Sequence, residues 1–280
     1  MLLFVDAGNT RVKWGLLAAS ELPQIEAARQ AASLQFPLHW LRQGACAHAQ
    51  LPELVAQLQG VAIHAVHVSN VAGAAIQQQL QTLLHQIAPH CALHRLLASS
   101  ACAGLKNAYA EPTQLGSDRF ASAIAAQALF PQRPLLVATC GTATTVDAIN
   151  ADGVFIGGMI LPGLQLMAQS LAQNTAQLPQ IDDPRVVQPM FADHTQQAIV
   201  NGCIQAQVGA IERAYRAFAS AQNAAPACII SGGAASYLMP HLSASLSPQL
   251  PQSMDALVLT GLAIAAASTA AAEVAGMGQP

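Results

Sequence analysis

An acid, a glycine and two small polar residues fall within five positions, Asp6-Ala7-Gly8-Asn9-Thr10. A nucleotide phosphate needs close backbone approach, N–H donors and hydroxyls, and its divalent metal needs a hard oxygen ligand nearby. Gly8 permits the approach, Asn9 and Thr10 supply polar groups, and Asp6 can serve the metal. The same residue types also build an ordinary hairpin turn. Two recurrences favour the phosphate reading: Gly141-Thr142 after the apolar run Leu135-Leu136-Val137-Ala138, and Gly232-Gly233 after Ala227-Cys228-Ile229-Ile230. Three such turns are expected to converge on one nucleotide. A second chemical pair, Asp118-Arg119, follows Gly116-Ser117. Its carboxylate can accept a proton while the guanidinium grips a substrate carboxylate through two parallel hydrogen bonds. The ordinary alternative is a helix-start acid beside a solvated arginine. The chain has no G-x-x-x-x-G-K-[ST] and no G-x-G-x-x-G after a strand, so a Walker loop and a dinucleotide fold lack support.

These groups need elements to hold them. Leu2 to Val5 and Val12 to Leu17 read as two strands of a hairpin around Gly8, and Leu135 to Ala138 with Thr144 to Ile149 as a second hairpin around Gly141. Two strand-turn-strand units, each followed by further strands and helices, predict a duplicated α/β architecture. Its natural boundary is Pro131–Pro134, which gives domains 1–131 and 132–280. Ala62 to Val71 reads as a strand, Ala74 to Ile87 as an amphipathic helix, and Ser117 to Phe130 as a helix capped by Gly116 or Ser117. Further on, 153–161 is an apolar stretch, 164–171 a helix, 174–194 a loop and 196–220 a helix. The alanine-rich, uncharged stretch 256–272 approaches the length of a membrane span, yet its composition suits a helix packed closely inside a protein.

Composition narrows the partners. The 280 residues are 53% hydrophobic and only 9% charged, with a formal net charge of -3, so nothing attracts nucleic acid or anionic lipid. Six cysteines form no C-x-x-C pair and read as reduced thiols of a cytoplasmic protein, Cys140 as a small buried filler. Met1-Leu2-Leu3-Phe4-Val5-Asp6 has no basic start and an acid ends its apolar run, so a signal peptide is not expected. The nine histidines are scattered, and His64 and His67 lack a nearby acid or cysteine to complete a metal set. Trp14 and Trp40 read as core or subunit contacts.

Five motifs then fall in one order: Asp6-Ala7-Gly8-Asn9-Thr10 with Lys13 and Gly15; Gly116-Ser117-Asp118-Arg119; Gly141-Thr142-Ala143-Thr144-Thr145-Val146-Asp147; Gly157-Gly158-Met159-Ile160-Leu161-Pro162-Gly163; and Thr175-Ala176-Gln177-Leu178-Pro179. Over nearly its whole length the chain resembles the type III pantothenate kinases, of the actin, Hsp70 and sugar-kinase superfamily. The resemblance implies two actin-like (ribonuclease H-like) domains with mixed sheets flanked by helices. It also implies phosphorylation of the primary hydroxyl of pantothenate, the first step toward coenzyme A, by a homodimer using ATP with Mg2+. Carried over by motif, Asp6, Ala7, Gly8, Asn9, Thr10, Arg11, Val12 and Lys13 form the first phosphate loop, and Thr142 touches ATP in the second. Asp118 is the proton acceptor, Gly116, Ser117 and Arg119 surround the substrate, and Tyr109 and Thr175 match the remaining substrate contacts. One position departs. Many members carry an aspartate two residues before the second hairpin's glycine, for a monovalent cation, K+ or NH4+. Here it is Thr139, a neutral and weaker ligand that disfavours the cation. Asp147 reads equally as a strand-end residue or part of a metal's outer shell, and no residue is assigned as a dedicated metal ligand. Two other functions fit the same motifs: a kinase of another small hydroxylated metabolite, and a nucleotide-binding regulatory or transcription-accessory protein.

Overall fold

The computed structural model describes residues 1–175, 178–179, 190–242, 246 and 250–277. The chain divides into two compact units, Met1–Gln132 with Gly153–Phe155 and the segment from Ala256, and Arg133–Asp152 with Ile156–Asp255. In the first, β1 (Leu2–Ala7) is buried at five of its six residues, as a central strand covered on both faces must be. It pairs antiparallel with β2 (Arg11–Leu17) around the Gly8 turn. Next come α1 (Glu21–Gln30), β3 (Arg42–Ala47), α2 (Leu51–Leu58), β4 (Ala65–Asn70), α3 (Ala74–Ile87) and β5 (Ala92–Arg95). The sheet order is β3-β2-β1-β4-β5, with β4 parallel to β1 and β5 parallel to β4. Leu3, Val5 and Trp14 on one face close a core with Leu54 and Leu58 of α2 and Leu80 and Leu84 of α3. Trp14 is buried in this core, while Trp40 is half-buried and meets the edge of Phe4 at 5.7 Å between ring centroids. The short strands β6 (Ala101–Cys102) and β7 (Leu105–Asn107) lead to α4 (Ser117–Leu129).

The second unit repeats this plan. β8 (Leu135–Cys140) and β9 (Ala143–Ile149) are the second hairpin, followed by β10 (Val154–Pro162), α5 (Leu164–Asn174), α6 (Thr195–Gln222), β11 (Ala227–Ser231), α7 (Ala235–Leu238) and β12 (Gln252–Ser253). Within this unit the order is β12-β11-β8-β9-β10, with β11 parallel to β8 and β12 parallel to β11, the same order as the first sheet; the first residues of β10, Val154 and Phe155, belong to the first unit and pair there with β7. In α6, Ile204, Val208, Ile211, Tyr215 and Phe218 recur at three- and four-residue spacing and pack on Leu136, Ala138 and Ile230. The duplication anticipated from the two glycine turns is therefore present in the strand order itself.

Residues from 256 onward, whose place the sequence leaves open between the two halves, belong to the first unit. There α8 (Leu257–Met277) packs on α4 and α1. Leu257, Leu259, Thr260 and every residue from Gly261 to Ala267 are buried, so the apolar surface of its first half is taken up by protein, although the helix is long and apolar enough to cross a membrane. The physical reason is size. A Cβ on Gly261 would overlap the Ala121 carbonyl, so only glycine lets the two alanine-rich helices approach this closely.

Candidate active site

The first unit assembles most of the residues singled out by sequence. Asp6 lies at the end of β1, in register with Lys13 on β2 and with Ser69 on β4. Burial pushes its carboxyl up to about 7; the nearby Asp118 charge pushes the same way and Lys13 opposes. The turn that follows is closed by a bond from the Gly8 N–H to the Arg11 carbonyl at 3.1 Å, leaving Asn9 and Thr10 exposed at its tip. From outside the motif, the His48 imidazole Nε2 reaches the Gly8 carbonyl oxygen at 2.8 Å.

Asp118 occupies the first turn of α4, where Gly116 is the N-cap and Ser117 the first helical residue. Burial raises its pKa, while the Arg119 amide, which donates to Oδ1 at 2.8 Å, and the Arg119 charge hold it down. The helix start is pinned by the Ser117 hydroxyl, 2.8 Å from that of Ser69, with both side chains buried. Arg119 is itself buried. It donates to the Tyr109 hydroxyl at 3.1 Å, and its guanidinium carbon lies 5.8 Å from the Tyr109 ring centre and 5.7 Å from that of Phe155. The two rings meet edge to face at 5.6 Å, and Asn107 accepts the Tyr109 N–H at 3.1 Å. The result is an aromatic seat that holds a cation beside two carboxylates of raised pKa. Phe155, Ser69, Asn107 and His48 carry no motif signal; only Ser69 had a cue, its place near the end of the strand expected over Ala62 to Val71.

In the second unit, Thr142 is exposed at the tip of the β8–β9 turn, which the Gly141 N–H closes onto the Ala143 carbonyl at 3.0 Å. The turn is backed from two sides. Gly163 donates to the Thr142 carbonyl at 2.9 Å, and Ala234, two residues after Gly232, donates to the Cys140 carbonyl at 3.0 Å. A side chain at Gly163 or at Gly232, where φ is +98°, would overlap that backbone. So two of the three glycine turns meet within this unit, while the Gly8 turn belongs to the other. Thr139 lies in register with Thr145 on β9 and Ser231 on β11, a row of hydroxyls. Cys140 is fully buried and its thiol is pushed up to about 12, a filler rather than a nucleophile. His67, at 4.8 Å from His94 and 5.1 Å from Phe4 in the first unit, is stacked between rings, and burial lowers its pKa to about 4. Thr175, at the end of α5, donates to the Leu171 carbonyl at 2.7 Å. Ala176 and Gln177 of the fifth motif, and most of the loop expected at 174–194, lie outside the described residues.

Residues 2–217 match the family model for type III pantothenate kinase. The chain is 48% identical over 263 residues to a type III pantothenate kinase of Herminiimonas arsenicoxydans, covering 94% of this chain and 96% of the relative. A second, of Janthinobacterium sp. strain Marseille, is 49% identical over 265 residues, with the same coverages. The chain belongs to the type III pantothenate kinase family. Among solved structures, a Sinorhizobium meliloti protein provisionally named a 2-dehydro-3-deoxygalactonokinase aligns with a TM-score of 0.57 at 12% identity, covering 97% of this chain and 99% of that one. One from Campylobacter jejuni, provisionally named a Baf family transcriptional activator, aligns at 0.54 and 16%, covering 93% and 94%. At those identities the likeness speaks for the fold. Both the actin-like architecture and the family expected from the ordered motifs are thus found, and the pantothenate kinase motifs of the first unit frame the paired carboxylates described above.

Proposed function

We propose that this chain transfers the γ-phosphoryl group of ATP to the primary hydroxyl of pantothenate, forming 4'-phosphopantothenate for coenzyme A synthesis. The observation that carries the reading is Asp118: a carboxylate of raised pKa at a helix start, with a buried arginine beside it and a second acid, Asp6, near enough to repel it. Phosphoryl transfer through a loose transition state needs alignment and charge neutralisation, with a base required only to accept the alcohol's proton late. Asp118 takes that proton, and its raised pKa suits the task. Arg119, seated on Tyr109 and Phe155, holds the pantothenate carboxylate, with Gly116, Ser117 and Thr175 as further substrate contacts. The Asp6-to-Lys13 hairpin and Thr142 bind ATP.

Two buried carboxylates of raised pKa, with the charge of Asp118 pushing Asp6 up, suit a divalent cation, whose charge would relieve that repulsion. Asp6 is the residue to hold Mg2+, which would neutralise phosphate charge when bound. Thr139, Thr145 and Ser231 offer only neutral oxygens in their row, weaker ligands than a carboxylate, which disfavours activation by K+ or NH4+. The enzyme is further proposed to work in the cytoplasm as a homodimer. Exposed Ile160 on β10 and Leu166 and Leu171 on α5 support a subunit contact in the second unit.

A coupled assay with ATP, Mg2+ and pantothenate, run in potassium and in sodium buffers, tests the reading. Asp118→Asn should lower kcat at least a hundredfold while ATP binding persists. Normal turnover by that variant would remove Asp118 from its role, and phosphorylation of a different alcohol in an acceptor panel would overturn the choice of substrate.

A further inference from the structure

We propose that His48 is a positioning residue for the nucleotide: it anchors the Gly8 carbonyl so that the neighbouring Asn9 N–H faces the phosphates. The proposal rests on the ATP-binding role given above to the Asp6-to-Lys13 hairpin.

The contact is Nε2 of His48 to the Gly8 carbonyl oxygen, 2.8 Å. A carbonyl only accepts, so Nε2 carries the hydrogen and donates it. In a trans peptide the C=O and N–H of one unit point in opposite directions. Fixing the Gly8 oxygen on His48 therefore aims the Asn9 N–H away from the imidazole, toward the exposed tip of the turn. The Gly8 N–H is already spent on Arg11, at 3.1 Å, which makes the Asn9 amide the first donor of the turn available to an anion. Glycine brings a liability here. Without a Cβ the peptide plane after it rotates easily, and a flipped plane would present a carbonyl oxygen to the phosphates instead of a donor. The imidazole removes that alternative.

The sheet delivers His48 to this place. Ala47, the last residue of β3, is in register with Arg11, the first of β2, so the next residue along reaches the side of the turn. A short 3-10 turn, His48–Gln50, follows, and its Gln50 side chain accepts the Ala47 N–H at 3.2 Å. The histidine lies 40 positions from Gly8 and outside every motif, so no local pattern reveals it. His48 also borders a cavity of about 570 Å³ lined by Leu51, Pro52, Gln78 and Gln79 as well, which leaves room for a different side chain.

The test compares wild type, His48→Ala and His48→Gln by steady-state kinetics, varying ATP and pantothenate separately, with Mg2+–ADP binding by calorimetry and a melting curve for each. His48→Ala should raise KM for ATP and Kd for ADP about five- to twentyfold. Its KM for pantothenate, kcat and Tm should stay near wild type. His48→Gln, whose amide N–H can reach the same oxygen, should recover most of the loss. An unchanged ATP KM in His48→Ala, an equal rise in both KM values, or no recovery in His48→Gln overturns the proposal. If wild type phosphorylates another alcohol, the choice of substrate fails, and the ADP affinity ratio still decides the part played by His48.

Discussion

Arg119 owes its usefulness to what surrounds it. A guanidinium buried against Tyr109 and Phe155 is already ordered before a carboxylate arrives, so less freedom is lost on binding. Replacing Phe155 with leucine keeps the apolar volume and removes the ring face, a change of about 0.5–2 kcal/mol. Phe155→Leu should therefore raise KM for pantothenate roughly two- to thirtyfold, with KM for ATP unchanged in the same assay; equal effects on both would mean general loosening. Asp6, Gly8, Gly116 and Asp118 were legible in the sequence because each belongs to a contiguous run whose residue types match one chemistry. Phe155 was not: it stands alone in an apolar strand, and its relation to Arg119 exists only after β7 pairs with the start of β10.

At the level of elements, α3 and α4 lie close to where periodicity and start signals put them, and the two hairpins flank the glycines that announced them. The partner of α8 was not readable, since an all-apolar helix shows no preferred face. Its small residues supply the answer in three dimensions, and two glycines of the same helix test it. Gly261→Val drives a side chain into the Ala121 backbone and should cost about 3 kcal/mol or more, read as a lower urea midpoint. Gly276→Ala, exposed in the last turn, where an added Cβ meets nothing within 4 Å, should instead stay within about 0.5 kcal/mol of wild type. Similar losses from both would mean that close approach to α4 is not what Gly261 provides.

For the whole molecule, the raised acids make stability depend on pH in an unusual direction. Asp6 titrates near 7 when folded and near its ordinary 3.8 when unfolded, so between those values the native state holds a proton that the unfolded chain has released. Unliganded protein should lose stability as pH rises from about 4 to about 7 and then level off. Asp6→Asn should flatten that decline and melt higher than wild type at pH 8, while using Mg2+–ATP poorly; parallel melting profiles for the two proteins would contradict the shift. Chain order adds a constraint of another kind. During synthesis the sheet beside α4 is made well before the helix that seals it, because the whole of the second unit intervenes in the chain. A nascent chain therefore carries an uncovered alanine-rich surface until residues 256–267 have emerged, and a chain cut before 256 would leave that surface bare.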